Sequence, residues 1–180
     1  MRVIPELKDA ILGFDQARVK GTHERGTIRT DLRNIEQLHH EARLREFTVT
    51  IDEPQANGGT NSGPNPLGYF LIGAASCFFN QIAKITIIRG LKIDTLEMTA
   101  IMHLDLAKPG GHVTDMAYDL RLTGSETKEK LVGMLQEAED GCFVHQTLKK
   151  AMPITSNIRL NGIGLVTHTI GPEDHVEKTG

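Results

Sequence analysis

The two cysteines are the most reactive side chains that this sequence offers for catalysis or redox chemistry. Cys77 and Cys142 are the only cysteines among 180 residues. They form no CxxC pair, so neither a zinc site nor a disulfide scaffold is predicted. In a reducing compartment two such thiols are either inert core residues or a redox or catalytic pair. The sequence around each cysteine has to distinguish these interpretations.

Cys77 falls within a predicted helix, and polar residues share its face. Asn80, Gln81 and Lys84 follow it at the helical spacing of neighbours on one face. Gly73, one turn earlier, leaves room for a close approach to the helix. One interpretation is a small pocket in which a thiol meets hydrogen-bond donors. The other is that these polar residues mark the place where the helix emerges into solvent.

Cys142 follows Asp140 and Gly141 and begins a second helical stretch. Unpaired N–H groups and the positive end of the helix dipole favour a thiolate at such a position. Alternatively, Cys142 is a small residue that fills the corner between two helices. A third possibility, thioester chemistry, would need His145 near Cys77 as a base.

Histidines are frequent, but their spacing does not predict a metal site. The HxxxH and HExxH patterns of zinc enzymes are absent. We therefore predict no metal ligands and interpret these histidines as surface or turn residues. They include His39, His40, His103, His112 and His145.

Composition excludes several classes of function. The formal net charge is −3, whereas binding to nucleic acid needs a basic excess or a basic stripe. No run of 18 apolar residues occurs, so no membrane span is predicted. The charged start of the chain lacks the apolar region of a signal peptide. We expect a cytoplasmic protein with no nucleic-acid or membrane partner.

The elements around Cys77 are predicted from local signals. Residues 5–19 have the spacing of an amphipathic helix, and residues 27–51 look extended. Residues 52–66, rich in Pro, Gly and Asn, exclude regular structure. Asn65 then caps a long helix from Pro66 to Arg89, which Gly90 ends.

The second half of the chain predicts a hairpin, two helices and a strand. Residues 94–107 and 116–122 alternate in polarity about a turn at 108–112, which indicates an antiparallel sheet. Ser125 is expected to cap a helix from Glu126 to about Glu139. A short helix, Cys142–Ala151, and a strand, residues 154–160, complete the prediction.

The long helix is apolar on almost every face from Leu67 to Phe79. Such a helix needs cover all round, and a single sheet covers one side. A symmetry-related copy of the same helix is the obvious second cover, so a homodimer is expected.

Short motifs around the two cysteines occur together and in a recognisable order. They comprise a proline–glycine loop, the helix that carries the first cysteine and the segment that follows the second. These motifs are Asp52-Glu53-Pro54, Gly58-Gly59, Gly63-Pro64-Asn65-Pro66, Leu71, Ala74-Ala75-Ser76-Cys77-Phe78 and Cys142-Phe143-Val144-His145-Gln146-Thr147-Leu148.

Together these motifs resemble the OsmC/Ohr family of osmotically induced and organic-hydroperoxide-resistance proteins, over about residues 43–160. The resemblance implies an α+β fold with antiparallel sheets packed on a long central helix bearing the cysteine, in an intertwined homodimer. It divides the chain into an N-terminal helical extension, an OsmC-like domain and a flexible tail. These segments are residues 1–26, 27–165 and 166–180.

The resemblance also implies an activity, the reduction of organic hydroperoxides by two cysteines. Cys77 would attack the peroxide as a thiolate and Cys142 would resolve the sulfenic acid to a disulfide. A small apolar hydroperoxide is the expected substrate, with Phe78, Asn80 and Gln81 binding it. An external dithiol would restore both thiols, and no cofactor is expected.

One part of the family pattern is missing. In members with strong peroxidase activity a glutamate at the start of the cysteine helix holds an activating arginine, whereas Leu67 and Gly68 stand here. Arg43 and Arg45 match the arginine by position only, and Lys84 is a further candidate. The alternative function is a non-catalytic family member that binds an apolar ligand or a partner at the dimer interface.

Overall fold

The structure is a computed structural model that describes residues 4–19, 26–107 and 111–172. It has an α+β fold in two compact units, Gln16–Gly73 and Met1–Asp15 with Ala74–Gly180. The helices are α1 (Pro5–Val19), α2 (Pro66–Arg89), α3 (Lys128–Gly141) and α4 (Phe143–Leu148). The strands are β1 (Asp31–Glu36), β2 (His39–Leu44), β3 (Phe47–Ile51), β4 (Ile93–Asp105), β5 (His112–Gly124), β6 (Ile154–Leu160) and β7 (Ile163–Ile170).

The segment predicted to be extended forms a three-stranded antiparallel sheet in the order β1-β2-β3. The turn between β2 and β3 consists of Arg45 and Glu46, and Arg45 has a φ of 55°. The guanidinium of Arg45 lies 5.6 Å from the centre of the Phe47 ring. Arg45 is therefore a turn residue that contacts the strand after it.

The loop between β3 and α2 is organised by one buried carboxylate. Oδ2 of Asp52 accepts hydrogen bonds from the hydroxyl and N–H groups of Thr60, at 2.6 and 3.0 Å. The hydroxyl and N–H groups of Ser62 bind the same oxygen, and the N–H of Glu53 binds Oδ1. These bonds, foremost that from the Thr60 hydroxyl, hold the pKa of Asp52 well below its usual range despite burial. The predicted irregular loop contains a short 3₁₀ turn at Gln55–Asn57.

The predicted limits of the cysteine helix are confirmed. Oδ1 of Asn65 accepts the N–H of Gly68 at 2.8 Å, which caps α2 as expected. Gly90, immediately after the last residue, has the left-handed φ of 63° that glycine adopts readily. By length and composition α2 is the one described helix that could cross a membrane, although the core helix of a water-soluble protein meets the same criterion.

Within the single chain, α2 is buried on one side only. Ala74, Phe78 and Ile82 on one side of the helix are buried. By contrast, Phe70 and Ile72 are 39% and 53% exposed. One face of the helix packs within the chain, and other apolar positions remain accessible.

The second unit contains a four-stranded sheet in the order β4-β5-β6-β7. β4 pairs antiparallel with β5, as predicted, and β6 pairs antiparallel with β7. The turn residues 108–110 lie outside the described part of the chain. β5 and β6 are parallel, so the expected antiparallel sheet is in fact mixed. The reason is the connection: α3 and α4 carry the chain across between these two strands.

Two boundaries differ from those predicted. Thr127, and not Ser125, caps α3, because its hydroxyl accepts the N–H of Lys130. Ser125 instead donates its N–H to the carbonyl of Lys92. Residues 166–170, assigned to the tail, belong to β7. Residues 20–25 of the predicted extension and residues 173–180 of the tail lie outside the described residues.

The core of this unit lies between the helices and the sheet. Phe78 and Ile82 come from α2, and Leu131 and Leu135 come from α3. The sheet contributes apolar side chains from β5 and β6. These are Met116, Tyr118, Leu120, Leu122, Ile154 and Ile158. Cys142 belongs to the same buried cluster, so the core itself positions one of the two thiols.

Candidate active site

Cys77 lies on α2 at the border of the core. Its side chain is half-buried, whereas the next residue, Phe78, is fully buried. Asn80 is exposed and Gln81 is half-buried on the neighbouring positions of the same helix. At Gly73 no described atom lies within 4 Å of the position that a Cβ would take. The thiol is thus accessible from one side of the helix, where the polar residues begin.

Cys142 is fully buried at the junction between α3 and α4. Burial raises the pKa of its thiol to about 12, although the backbone N–H groups of His145 and Val144 bind the sulfur and oppose this effect. The expectation that the helix terminus favours a Cys142 thiolate is therefore wrong. Loss of solvent outweighs two backbone hydrogen bonds, and Cys142 is a neutral thiol at neutral pH.

The fold brings the two sulfurs into contact. The Sγ atoms are 3.3 Å apart, and the Cys142 thiol donates a hydrogen bond to Sγ of Cys77. Both cysteines are free. A disulfide has an S–S length near 2.05 Å, so a small movement of the side chains would suffice to form one.

An aromatic stack lies against the cysteine pair. The imidazole of His145 stacks on the ring of Phe78, with the centroids 4.1 Å apart and the planes at 29°. The ring of Tyr118, on β5, lies 5.2 Å from His145 and 5.5 Å from Phe78. All three side chains are fully buried. Burial, together with the nearby thiols of Cys142 and Cys77, raises the pKa of Tyr118.

His145 and Phe78 correct two predictions. His145 was expected at the surface or in a turn, but it is fully buried, and neither ring nitrogen has a hydrogen-bond partner among the described residues. Burial lowers its pKa to about 4, so the ring is neutral. Phe78 was expected to bind substrate, but it packs in the core. The spacing Cys142-x-x-His145, one turn of a short helix, could have indicated that these two residues lie together.

The turn that carries Cys142 is anchored through Glu139. The backbone carbonyl of Glu139 accepts the N–H of Cys142 at 3.4 Å and Nε2 of Gln146 at 3.0 Å. The buried Glu139 carboxylate lies 2.6 Å from Nδ1 of His168 on β7, although burial raises its pKa. No motif indicated this pair, because it joins a helix to a strand that was not predicted.

The arginines proposed to activate Cys77 belong to the other compact unit. Arg43 is exposed on β2, and its Nε lies 3.4 Å from the carbonyl oxygen of Arg45. Both residues lie in Gln16–Gly73, whereas Cys77 lies in the unit that begins at Ala74. Their action on Cys77 stays a prediction. Among the described residues, no group of three or more His, Cys, Asp or Glu side chains could hold a metal ion.

Comparison with known proteins agrees with this architecture. A family model described as OsmC-like protein matches residues 59–157, which is more than half of the chain. No curated protein shows significant sequence similarity to the chain. The segment matched by the family model contains both cysteines.

Several solved structures share the fold at low sequence identity. An OsmC-like protein from Mycoplasma pneumoniae is 18% identical with a TM-score of 0.68, covering 76% of this chain and 99% of its own. An organic hydroperoxide resistance protein from Elizabethkingia anophelis is 15% identical with a TM-score of 0.63, covering 77% and 99%. An organic hydroperoxide resistance protein OsmC from Legionella pneumophila, described as a predicted redox protein, is 18% identical with a TM-score of 0.56, covering 77% and 97%.

Proposed function

Because the chain belongs to the OsmC-like protein family, we propose that it is a thiol-dependent peroxidase that reduces small apolar organic hydroperoxides. The observation that carries this proposal is the 3.3 Å contact between a half-buried thiol and a buried one. Relatives of the same fold are described as organic hydroperoxide resistance proteins. The two environments support the proposed roles, in which the accessible sulfur reacts with the peroxide and the buried sulfur reacts only with its neighbour.

The first step oxidises Cys77. The Cys77 thiolate attacks the terminal oxygen of the hydroperoxide, the O–O bond breaks, and Cys77 becomes a sulfenic acid that carries this OH group. The alkoxide that leaves takes a proton from solvent water and departs as an alcohol. The exposed Asn80 and half-buried Gln81 are proposed to bind substrate beside the thiol. Arg43 and Arg45 stay the proposed activating cations, with Lys84 as the further candidate on α2.

The second step forms the disulfide. The sulfur of Cys142 attacks the sulfenic sulfur of Cys77, and the departing hydroxide combines with the Cys142 proton to give water. Because Cys142 is protonated at neutral pH, the S–H proton is available for that leaving group. An external dithiol then reduces the disulfide by attack on Cys77, since Cys142 is fully buried.

The setting of this cycle is also proposed. We place the protein in the cytoplasm, where thiols are kept reduced, and assign it an external dithiol and no resident cofactor. The net charge of −3 supports the absence of a nucleic-acid partner. We propose no attachment to a membrane, and a homodimer as the working form.

Turnover of cumene hydroperoxide with dithiothreitol tests the proposal. We expect the purified protein to consume peroxide catalytically, and Cys77→Ser to lose the activity at least about a hundredfold, since the nucleophile is removed. In Cys142→Ser, one equivalent of peroxide should oxidise Cys77 to a sulfenic acid that dimedone traps, without an intramolecular disulfide.

Two results would contradict the peroxidase cycle. Equal rates in the wild type and in Cys77→Ser would show that the thiol is not the nucleophile. Absence of turnover in the wild type, with Cys77 no more reactive to maleimide than a free thiol, would instead favour the non-catalytic family member. In that case the apolar surface of α2 would be the part to test for ligand binding.

A further inference from the structure

We infer that His145 is the positioning residue that holds the two sulfurs in contact for disulfide formation. The inference rests on the proposed function for its place in a catalytic cycle. The positioning itself concerns the geometry of the two thiols and can be measured without a peroxide. It assigns a role to a buried imidazole that none of the proposed steps uses.

His145 contacts the surroundings of both cysteines at once. Its ring stacks on Phe78, the residue that follows Cys77 on α2. Its backbone N–H binds the sulfur of Cys142, one turn earlier in the chain. A single residue therefore connects the helix that bears the accessible thiol with the turn that bears the buried one.

The stack has a third member that limits its movement. Tyr118, on β5, lies against both Phe78 and His145, and all three side chains are 0% exposed. Closely packed aromatic rings interlock, so one ring cannot move far without the others. The orientation of α4 relative to α2, on which the 3.3 Å sulfur contact depends, is set by these rings.

The imidazole acts here by shape and stacking. Within the part of the chain that the structure describes, neither ring nitrogen has a hydrogen-bond partner, and burial keeps the ring neutral. A buried polar atom without a partner destabilises the fold, so an apolar ring of similar shape should be tolerated. Removal of the ring, by contrast, leaves a hole between Phe78 and Tyr118 into which α4 can shift. Alanine at position 145 is therefore expected to disturb the contact between the two sulfurs, whereas phenylalanine is expected to preserve it.

The experiment measures how readily the two thiols form their disulfide. Reduced wild type, His145→Ala, His145→Phe and a control, Leu131→Ala, are equilibrated with mixtures of reduced and oxidised dithiothreitol. Mass spectrometry then gives the fraction of the Cys77–Cys142 disulfide. Leu131 is a buried core residue near the start of α3, so its truncation destabilises the same unit without removing a ring of the stack.

We expect His145→Ala to lower the equilibrium constant for disulfide formation about tenfold, equivalent to about 30 mV in reduction potential. His145→Phe should stay within about twofold of the wild type, well inside a tenfold step of about 30 mV. The equilibrium constant of Leu131→Ala should also stay within about twofold of the wild type, although this variant is less stable. A reduction potential reports the difference between oxidised and reduced forms, so a change that destabilises both equally leaves it unaltered.

Two outcomes would overturn the inference. A wild-type equilibrium constant in His145→Ala would show that the ring is ordinary core packing. An equal loss in His145→Phe and His145→Ala would assign the effect to the ring nitrogens instead of the stack. Urea unfolding verifies that each variant is folded. If His145→Ala does not fold, His145→Leu replaces it, because leucine keeps the volume of the side chain without a flat ring.

This experiment is independent of the peroxidase proposal. If His145→Ala lowers the equilibrium constant about tenfold while His145→Phe and Leu131→Ala keep that of the wild type, the positioning role stands whether or not cumene hydroperoxide is turned over. If the wild type forms the disulfide in all variants alike and also turns over peroxide, the proposed function stands and the role of His145 falls.

Discussion

The two thiols touch, yet their surroundings differ in a way that separates their chemistry. Cys77 is half-buried on a helix face that ends in polar residues, whereas Cys142 is closed off in the core. A nucleophile for an external substrate must be reachable, and a resolving thiol needs only its neighbour. At the scale of residues, the difference in burial therefore supports the two proposed roles more directly than any sequence motif does.

The high pKa of Cys142 predicts a loss of stability at alkaline pH. Since folding raises this pKa from 9.0 to about 12, the unfolded chain releases the proton first as the pH rises above 9. The free energy of unfolding should then fall with a slope of up to about 1.4 kcal/mol per pH unit from this one group. Below pH 9 both states keep the proton, and the group contributes no slope.

Urea unfolding of the wild type and of Cys142→Ala, at pH 7 to 10.5, measures this contribution. The difference in unfolding free energy between the two proteins should be constant up to about pH 9 and shrink above it, since the variant lacks the titrating thiol. Parallel curves throughout the range would show that Cys142 is not desolvated in the folded protein.

At the scale of elements, specific local interactions fix the loop before the cysteine helix and both ends of that helix. Asp52 organises the loop, Asn65 caps the first turn and Gly90 ends the last. Gly59 is also required, because a Cβ there would lie 2.0 Å from the carbonyl oxygen of Glu53. The order of the loop therefore depends on buried hydrogen bonds and close backbone contacts more than on regular secondary structure.

Asp52→Asn should loosen this loop without unfolding the protein. The amide replaces an acceptor oxygen by an NH₂ group in a pocket lined by donors, so hydrogen bonds from Thr60 and Ser62 are lost. We expect their backbone amides to exchange hydrogen at least about tenfold faster, as in a locally opened segment.

Glu53→Gln is the matched control for that substitution. The Glu53 carboxylate accepts a hydrogen bond of 3.3 Å from Asn57 and is partly exposed, so its exchange pattern should resemble that of the wild type. Equal protection of Thr60 and Ser62 in the wild type and in Asp52→Asn would show that the carboxylate does not hold the loop together.

At the scale of the whole molecule, the single chain leaves apolar side chains of its longest helix, α2, exposed to solvent. Leu67, Phe70 and Ile72 are 44%, 39% and 53% exposed, although α2 also contributes Phe78 and Ile82 to the core. Exposed apolar residues grouped on one element are typical of a surface that another molecule covers. A second copy of the chain stays the proposed cover.

Sedimentation equilibrium tests the proposed homodimer. We expect a dimer at micromolar concentration, and in Ile72→Glu at least about a tenfold weaker association, equivalent to about 1.4 kcal/mol, since the interface would bury a charge. Ile163→Glu, at a position on β7 that is 72% exposed, should associate like the wild type. A wild type that is monomeric at this concentration would contradict the proposal.

Local sequence signals were sufficient for much of the architecture. Asn65 with Pro66 and Gly90 predicted both ends of α2, and the alternation of residues 94–107 predicted β4 and its antiparallel partner. Ser125 was predicted as the cap in place of Thr127 because two hydroxyl residues stand close together there. In the structure the N–H of Ser125 binds the carbonyl of Lys92, and Thr127 caps the helix. Resemblance added the pairing of Cys77 with Cys142, which no local pattern contains.

By itself, the sequence determined where the helices and most strands lie, because backbone preferences depend on a few adjacent residues. It also identified the two cysteines that are proposed to carry the chemistry. Only the tertiary structure decided that the sulfurs lie 3.3 Å apart, that Cys142 is sealed in the core and that His145 stacks beside it. The tertiary structure also decided that the four-stranded sheet contains one parallel pair, β5 and β6, which α3 and α4 connect. Contacts between segments far apart in the chain, and the loss of water that shifts a pKa, arise only from the packing of the whole fold.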